Sequence, residues 1–173
     1  MGDDFTVAES DVLIAATIFL IERRVIPYQF SVAVGRGLDR SGDIDRLRKA
    51  FESIGALPRF SGDGPDILGI SDSEWWVVEC KGAGTGKPQT QRNNFDRALA
   101  SVVSYFEEKP QGVPAELQDA KVYLGLALPA TRAYLNELRR RVRLPLRRRL
   151  NLWILLYELE SQSIRPVLPE GSI

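Results

Sequence analysis

The chain has no histidine, a single cysteine and no net charge: 23 Lys and Arg balance 23 Asp and Glu over 173 residues. Without an imidazole there is no Ser-His-Asp or Cys-His nucleophile and no histidine-bound metal. Cys80 alone makes neither an intrachain disulfide nor a cysteine zinc site, and its thiol reads as a small core group. Zero net charge means that affinity for a polyanion must come from a local patch. Long apolar runs are missing too. Val12 to Ile21 is apolar, but ten residues cannot cross a bilayer as a helix, and the chain starts acidic, at Asp3 and Asp4. These features predict a cytoplasmic protein with no membrane partner. The chemistry left runs on carboxylates, lysine, arginine and amides, a set that favours a metal ion held by oxygen.

What the chain does have is concentrated between Gly64 and Lys81. Ile67, Leu68 and Ile70 form one apolar run and Trp75 to Val78 another, with the polar Ser71-Asp72-Ser73-Glu74 between them. The pattern predicts a β-hairpin. With the turn centred on Asp72 and Ser73, Ile70 faces Trp75, Leu68 faces Val77 and Asp66 faces Glu79. Side chains alternate along a strand, so Lys81 falls on the face of Glu79. Two carboxylates and one ammonium thus meet at the end of a strand that is apolar on both faces and therefore central. Carboxylates that close repel each other, and a cation between them, Lys81 or a divalent metal, relieves the repulsion. Beside such a metal a lysine can orient or deprotonate the water that attacks a phosphodiester.

Pro65-Asp66, a spacer and Glu79-Cys80-Lys81 resemble the signature of the PD-(D/E)XK nuclease superfamily, whose fold is restriction-endonuclease-like. The resemblance implies an α/β fold with a mixed central β-sheet flanked by helices. It implies Asp66 and Glu79 as ligands of Mg²⁺ or Mn²⁺, the Cys80 backbone carbonyl as a further ligand, and Lys81 as the catalytic lysine. Many members carry an extra acidic residue on the helix that precedes the sheet. Glu52 is the candidate, set against a solvated helix face. Some branches place a helical Gln beside the metal site with an aromatic four residues later. Gln91 with Phe95 resembles that arrangement, with Phe where Tyr is common, and Gln89 and Arg92 are its weaker neighbours.

The chain is expected to be a single domain. Residues 9–24 predict a helix, apolar nearly all round, with Ser10 as N-cap and Pro27 as terminator. Phe30, Val32 and Val34 alternate as a strand. Residues 1–40 read as an N-terminal helical extension, with a homodimer through the apolar helix as the leading expectation. The nuclease-like core is expected from 44 to 160. It begins with a helix bearing Ile44, Leu47, Phe51 and Ile54 and a first strand from Leu57 to Phe60. After the hairpin come a helix from Gln91 to Phe106, a strand from Lys121 to Pro129, a helix opened by Thr131 and ended or kinked at Pro145, and a final strand from Asn151 to Leu159.

Gly82-Ala83-Gly84-Thr85-Gly86-Lys87-Pro88 is glycine-rich but fails as a Walker loop: its first Gly position is Lys81, and Pro88 stands where Ser or Thr is needed. The dinucleotide pattern fails because its third Gly position is Lys87. A loop whose Lys87 touches a nucleic-acid phosphate fits better. Seven arginines lie between 139 and 149, and Glu137 is the one carboxylate from residue 130 to 157. Arg139, Arg140, Arg143, Arg147 and Arg148 are the expected phosphate contacts. The reading is a metal-dependent nuclease acting on nucleic acid, with DNA preferred to RNA. The alternative is a non-catalytic nucleic-acid-binding or assembly subunit that retains the fold.

Overall fold

The chain makes α1 (Glu9–Glu22), β1 (Ile26–Phe30), α2 (Asp43–Glu52), β2 (Ile67–Ile70), β3 (Glu74–Cys80) and α3 (Pro88–Ser104). There follow β4 (Lys121–Pro129), α4 (Arg132–Arg141), α5 (Leu144–Leu150), β5 (Leu152–Glu158) and β6 (Ser163–Val167). The computed structural model describes residues 6–31, 42–57, 59–61, 64–84, 88–106 and 119–173. Six strands form one open sheet in the order β1 to β6. Neighbours are antiparallel from β1 to β3, parallel from β3 to β5, and antiparallel again at β6. Both parallel crossovers move the same way along the sheet, so right-handed connections put α3 and the α4–α5 pair on one face. There α3 packs against α4, while α1 lies across the sheet strands on the other face. The architecture is mixed α/β with helices on both faces.

The hairpin register is the expected one: Ile70 opposite Trp75 and Leu68 opposite Val77. β3 is buried along Trp75–Cys80, and β5 along Leu152–Tyr157, as strands covered on both faces must be. Pro27 and Pro166 fall in the two edge strands, where a missing N–H costs no interior ladder bond.

Several expectations are corrected. Residues 6–31 are not an extension ahead of the core: β1 is the first strand of the sheet and α1 its cover. The described residues of the expected first strand, 57, 59 and 60, form no strand; Leu57 is almost wholly exposed, and Phe60 makes one isolated bridge to Phe30. The predicted strand positions 32–34 lie outside the described residues. Ala8 caps α1, and Ser10 is buried within its first turn. Pro145 starts α5 rather than ending α4, its fixed φ suiting a first helical turn. The chain makes one more strand after β5, since β6 returns antiparallel along it. Among the described residues no helix is long and apolar enough to cross a membrane.

Most of the apolar surface of α1 is covered inside the chain: Val12, Leu13, Ile14, Ala15, Ala16 and Leu20 are buried, while Ile18 is exposed. α1 is also matched in length to β3. Fourteen helical residues extend about 21 Å and seven strand residues about 23 Å. At its C-terminal end Arg23 forks onto the Glu74 carboxylate (2.8 and 3.2 Å). The same guanidinium lies 4.8 Å from the Trp153 ring centroid and 5.5 Å from that of Trp76. Trp76 stacks on Tyr123 at 4.9 Å and donates its indole N–H to Glu74. At the other end Val7 exchanges backbone hydrogen bonds with Ala83. The helix is pinned at both ends of the strand.

The arginine run is divided by tertiary structure. Arg147, expected to contact phosphate, is buried and donates to the carbonyls of Leu168 (3.1 Å) and Gly171 (2.6 Å). It fastens the residues after β6 to α5. Arg147→Ala leaves two carbonyls without their charged donor and is expected to destabilise by about 2–4 kcal/mol. Arg148→Ala, on the exposed face, is expected to change stability by less than about 0.5 kcal/mol. Urea denaturation of the two variants checks the division.

Candidate active site

Asp66 precedes β2 and stands across from the end of β3. Its carboxylate accepts a 2.7 Å hydrogen bond from the backbone N–H of Cys80. The residue that faces Asp66 in the hairpin register is Glu79, which is 9% exposed. Burial pushes the Asp66 carboxyl up to about 6, against the Cys80 N–H, which favours the charged form. Burial, and then the Asp66 charge, push Glu79 up to about 8, while Lys81 and a hydrogen bond from Ser101 pull it down. Cys80 itself is fully buried, and its thiol is pushed well up by burial. Its part in the site is confined to the main chain.

Lys81 follows the last residue of β3, where the sheet no longer separates its two helical layers. Its ammonium reaches the first turn of α1 and pairs with Glu9 at 3.0 Å. Burial alone would lower the lysine pKa, but Glu9 first, then Asp66 and Glu79, outweigh burial and hold it above its ordinary value. Gly82 makes this approach possible. A Cβ there would lie 2.7 Å from the Glu9 nitrogen and closer still to the Val7 carbonyl. The buried Tyr134 of α4 donates its hydroxyl to the Gly82 carbonyl at 2.9 Å. Strand end, helix start and α4 thus meet at one residue without a side chain.

The hairpin arithmetic brings Asp66, Glu79 and Lys81 together as expected. Glu52 is not the extra carboxylate: it is exposed at the last position of α2, whereas the charge that reaches Asp66 and Glu79 is that of Glu9. Glu9 stands in the first turn of α1, and its contact with Lys81 spans 72 residues of chain, which no local pattern announces. Gln91 donates to the Gly84 carbonyl at 3.4 Å, while the Lys81 ammonium donates to Glu9. The α3 hydroxyl beside Glu79 belongs to Ser101, ten residues and about 15 Å of helix further on. The Tyr105 phenol, raised by burial, also feels the charges of Glu79 and Asp66. Phe95 is core, against the Tyr134 ring. Lys87 lies outside the described residues. Arg143 and Arg148 are exposed at α5; Arg139 donates to the Ile173 carbonyl, and Arg140 pairs with Glu137 at 2.9 Å.

Among the described residues, no three His, Cys, Asp or Glu side chains form a group placed to hold a metal ion. The oxygen donors on offer are two carboxylates, Asp66 and Glu79, and the Cys80 carbonyl. Neither protein-family models, nor curated proteins, nor solved structures provide a match to this chain.

Two outcomes check the site. Between pH 4.5, the ordinary Glu value, and about 8, the folded chain binds the Glu79 proton more tightly than the unfolded chain does. Stability of the metal-free protein is therefore greatest in mild acid and falls as pH rises through that window. Glu79→Gln is expected to raise the melting temperature at pH 8.5 and flatten the slope. A wild-type profile as flat as the variant's would contradict the burial. Gly82→Ala forces apart the backbones of residues 7–9 and 82, with an expected loss of about 1–3 kcal/mol in chemical denaturation.

Proposed function

We propose that this protein is a metal-dependent phosphodiesterase of nucleic acid, with a restriction-endonuclease-like core and DNA as the preferred substrate. The observation that carries the reading is the cluster at the end of β3: Asp66 on the Cys80 amide, Glu79 beside it in a buried position, and Lys81 held on Glu9. The order α1, then antiparallel β1 to β3, α3 and parallel β4 supports it, as does the resemblance of Pro65-Asp66 and Glu79-Cys80-Lys81 to the PD-(D/E)XK signature.

The donor set fits Mg²⁺ or Mn²⁺. Hard divalent ions use one or two carboxylates and complete their shell with water and substrate oxygens. A strand residue turns its N–H and C=O to the same edge, so the Cys80 carbonyl leaves β3 on the side where its amide meets Asp66. A dication there would also remove the repulsion that raises Glu79. When bound, the metal supplies a water of lowered pKa and charge for the phosphorus oxygens.

The remaining steps belong to the chain. Asp66 is oriented by the Cys80 N–H, and Glu79 is kept from bulk water by burial. Lys81 stays protonated because carboxylates surround it, so it donates hydrogen bonds instead of taking a proton. Its task is to orient water and offset charge on the reacting phosphate. Glu9 positions Lys81 and keeps the ammonium at the strand end.

Metal-dependent cleavage of supercoiled, linear and single-stranded DNA and of RNA tests the reading. Asp66→Ala and Lys81→Ala are expected to lower turnover by at least about 100-fold with circular dichroism unchanged. Glu9→Gln, which loosens Lys81 without removing it, is expected to cost about 10- to 100-fold. Undiminished cleavage by Lys81→Ala would end the assignment. Binding without cleavage on every substrate would mark the chain as a non-catalytic subunit.

A further inference from the structure

We infer that the cleft between the start of α3 and the exposed side of α4 takes one unstacked nucleotide of the substrate strand, next to the reacting phosphate. The inference rests on the phosphodiesterase reading and adds to it the form of the substrate. The cleft has a volume of about 300 Å³, and its lining includes Gln91, Arg92, Tyr134, Asn136, Glu137 and Arg140. That volume is at the lower end of the range for sites that enclose a small organic ligand. It has room for one nucleotide.

Its place is set by Tyr134, which lines the cleft and donates to Gly82, the residue after Lys81. The charge of Glu9 reaches the same phenol. Gln91, on the opposite wall, donates to Gly84 two residues further along. The backbone from Lys81 to Gly84 therefore joins the reactive cluster to the cleft.

The chemistry of the walls suits a nucleotide. Arg92 and Arg140 are 56% and 63% exposed, and both are drawn to the Glu137 carboxylate, at 3.8 and 2.9 Å. Glu137 is itself 12% exposed and is shared with Arg141, which also pairs with Asp96. Three guanidinium groups against two carboxylates leave a positive surplus. The two exposed ones keep donors to spare for a phosphate. The amides of Gln91 and Asn136 each offer a donor and an acceptor, which suits a base edge or a sugar hydroxyl. Since a nucleotide has to leave its stack to enter, single strands and frayed ends are favoured over intact duplex.

The test reads binding in EDTA, where no hydrolysis intervenes, by anisotropy of a short fluorescein-labelled DNA single strand and of its duplex over a salt series. The single strand is expected to bind more tightly than the duplex. Arg92→Ala and Arg140→Ala are each expected to weaken single-strand binding about fivefold and to lower the salt slope by about 0.7. Arg149→Ala removes an exposed arginine of α5 outside the cleft and is expected to change binding less than about twofold. Equal losses in all three variants, or duplex binding as tight as that of the single strand, overturn the cleft assignment. Cleavage in Mn²⁺ is scored separately. Metal-dependent cleavage with unselective arginine losses overturns the cleft alone; cleft-selective binding without cleavage overturns the hydrolysis and leaves the subsite.

Discussion

Placing Glu79 in a buried position at the end of an apolar central strand, opposite Asp66, creates an electrostatic demand on the whole molecule. Neither carboxylate can ionise freely there: burial raises both, the Asp66 charge raises Glu79 further, and the Glu9 charge raises each of them. Three features answer the demand in part. The Cys80 N–H favours the charged form of Asp66, a Ser101 hydroxyl reaches Glu79, and the Lys81 ammonium lies beside both. The lysine is in turn held by Glu9, so the cluster carries three carboxylates and one ammonium. Its surplus is negative. That imbalance costs stability in the absence of a dication, and groups that cost stability where they sit belong more often to a function than to a core.

Holding the cluster falls to α1. The helix is anchored at one end by Arg23, inserted among Trp76, Tyr123 and Trp153 and forked on Glu74, and at the other by the bridge from Val7 to Ala83. Those two anchors lie at opposite ends of β3. A helix that matches the strand in length brings its first turn to the strand's last residue, and Glu9 arrives at Lys81 as a consequence. The side-chain-free Gly82 lets the two backbones close on each other, and Tyr134 ties α4 to the same point. The site is thus assembled from both faces of the sheet, although its signature residues occupy a single hairpin.

Much of this was legible in the chain. The hairpin register followed from alternation and a polar turn, because a one-residue slip would have turned Asp66 and Glu79 to opposite faces. The strands Lys121–Pro129 and Leu152–Glu158 were visible as buried apolar runs, and the Thr131 cap was visible from its hydroxyl ahead of a periodic helix. The start of the sheet was not legible. Ile26–Phe30 contains Pro27 and takes its strand character from pairing with β2, which no local pattern announces. The arginine run misled for a related reason. Counting carboxylates along the chain found Glu137 alone, yet the fold brings Asp96 of α3 to Arg141 and turns Arg147 inward onto backbone carbonyls.

The sequence by itself determined which functional groups the protein has, the period of each central element, and the pairing of two carboxylates across one hairpin. These are local quantities, set by side-chain alternation and turn chemistry over fewer than about twenty residues. Only the tertiary structure decided that Glu9 is the third carboxylate, that Gln91 serves the loop while Ser101 serves Glu79, and which arginines remain free. Each of those depends on where a helix ends in space relative to a strand, and burial and Coulomb fields act across that space without regard to distance along the chain.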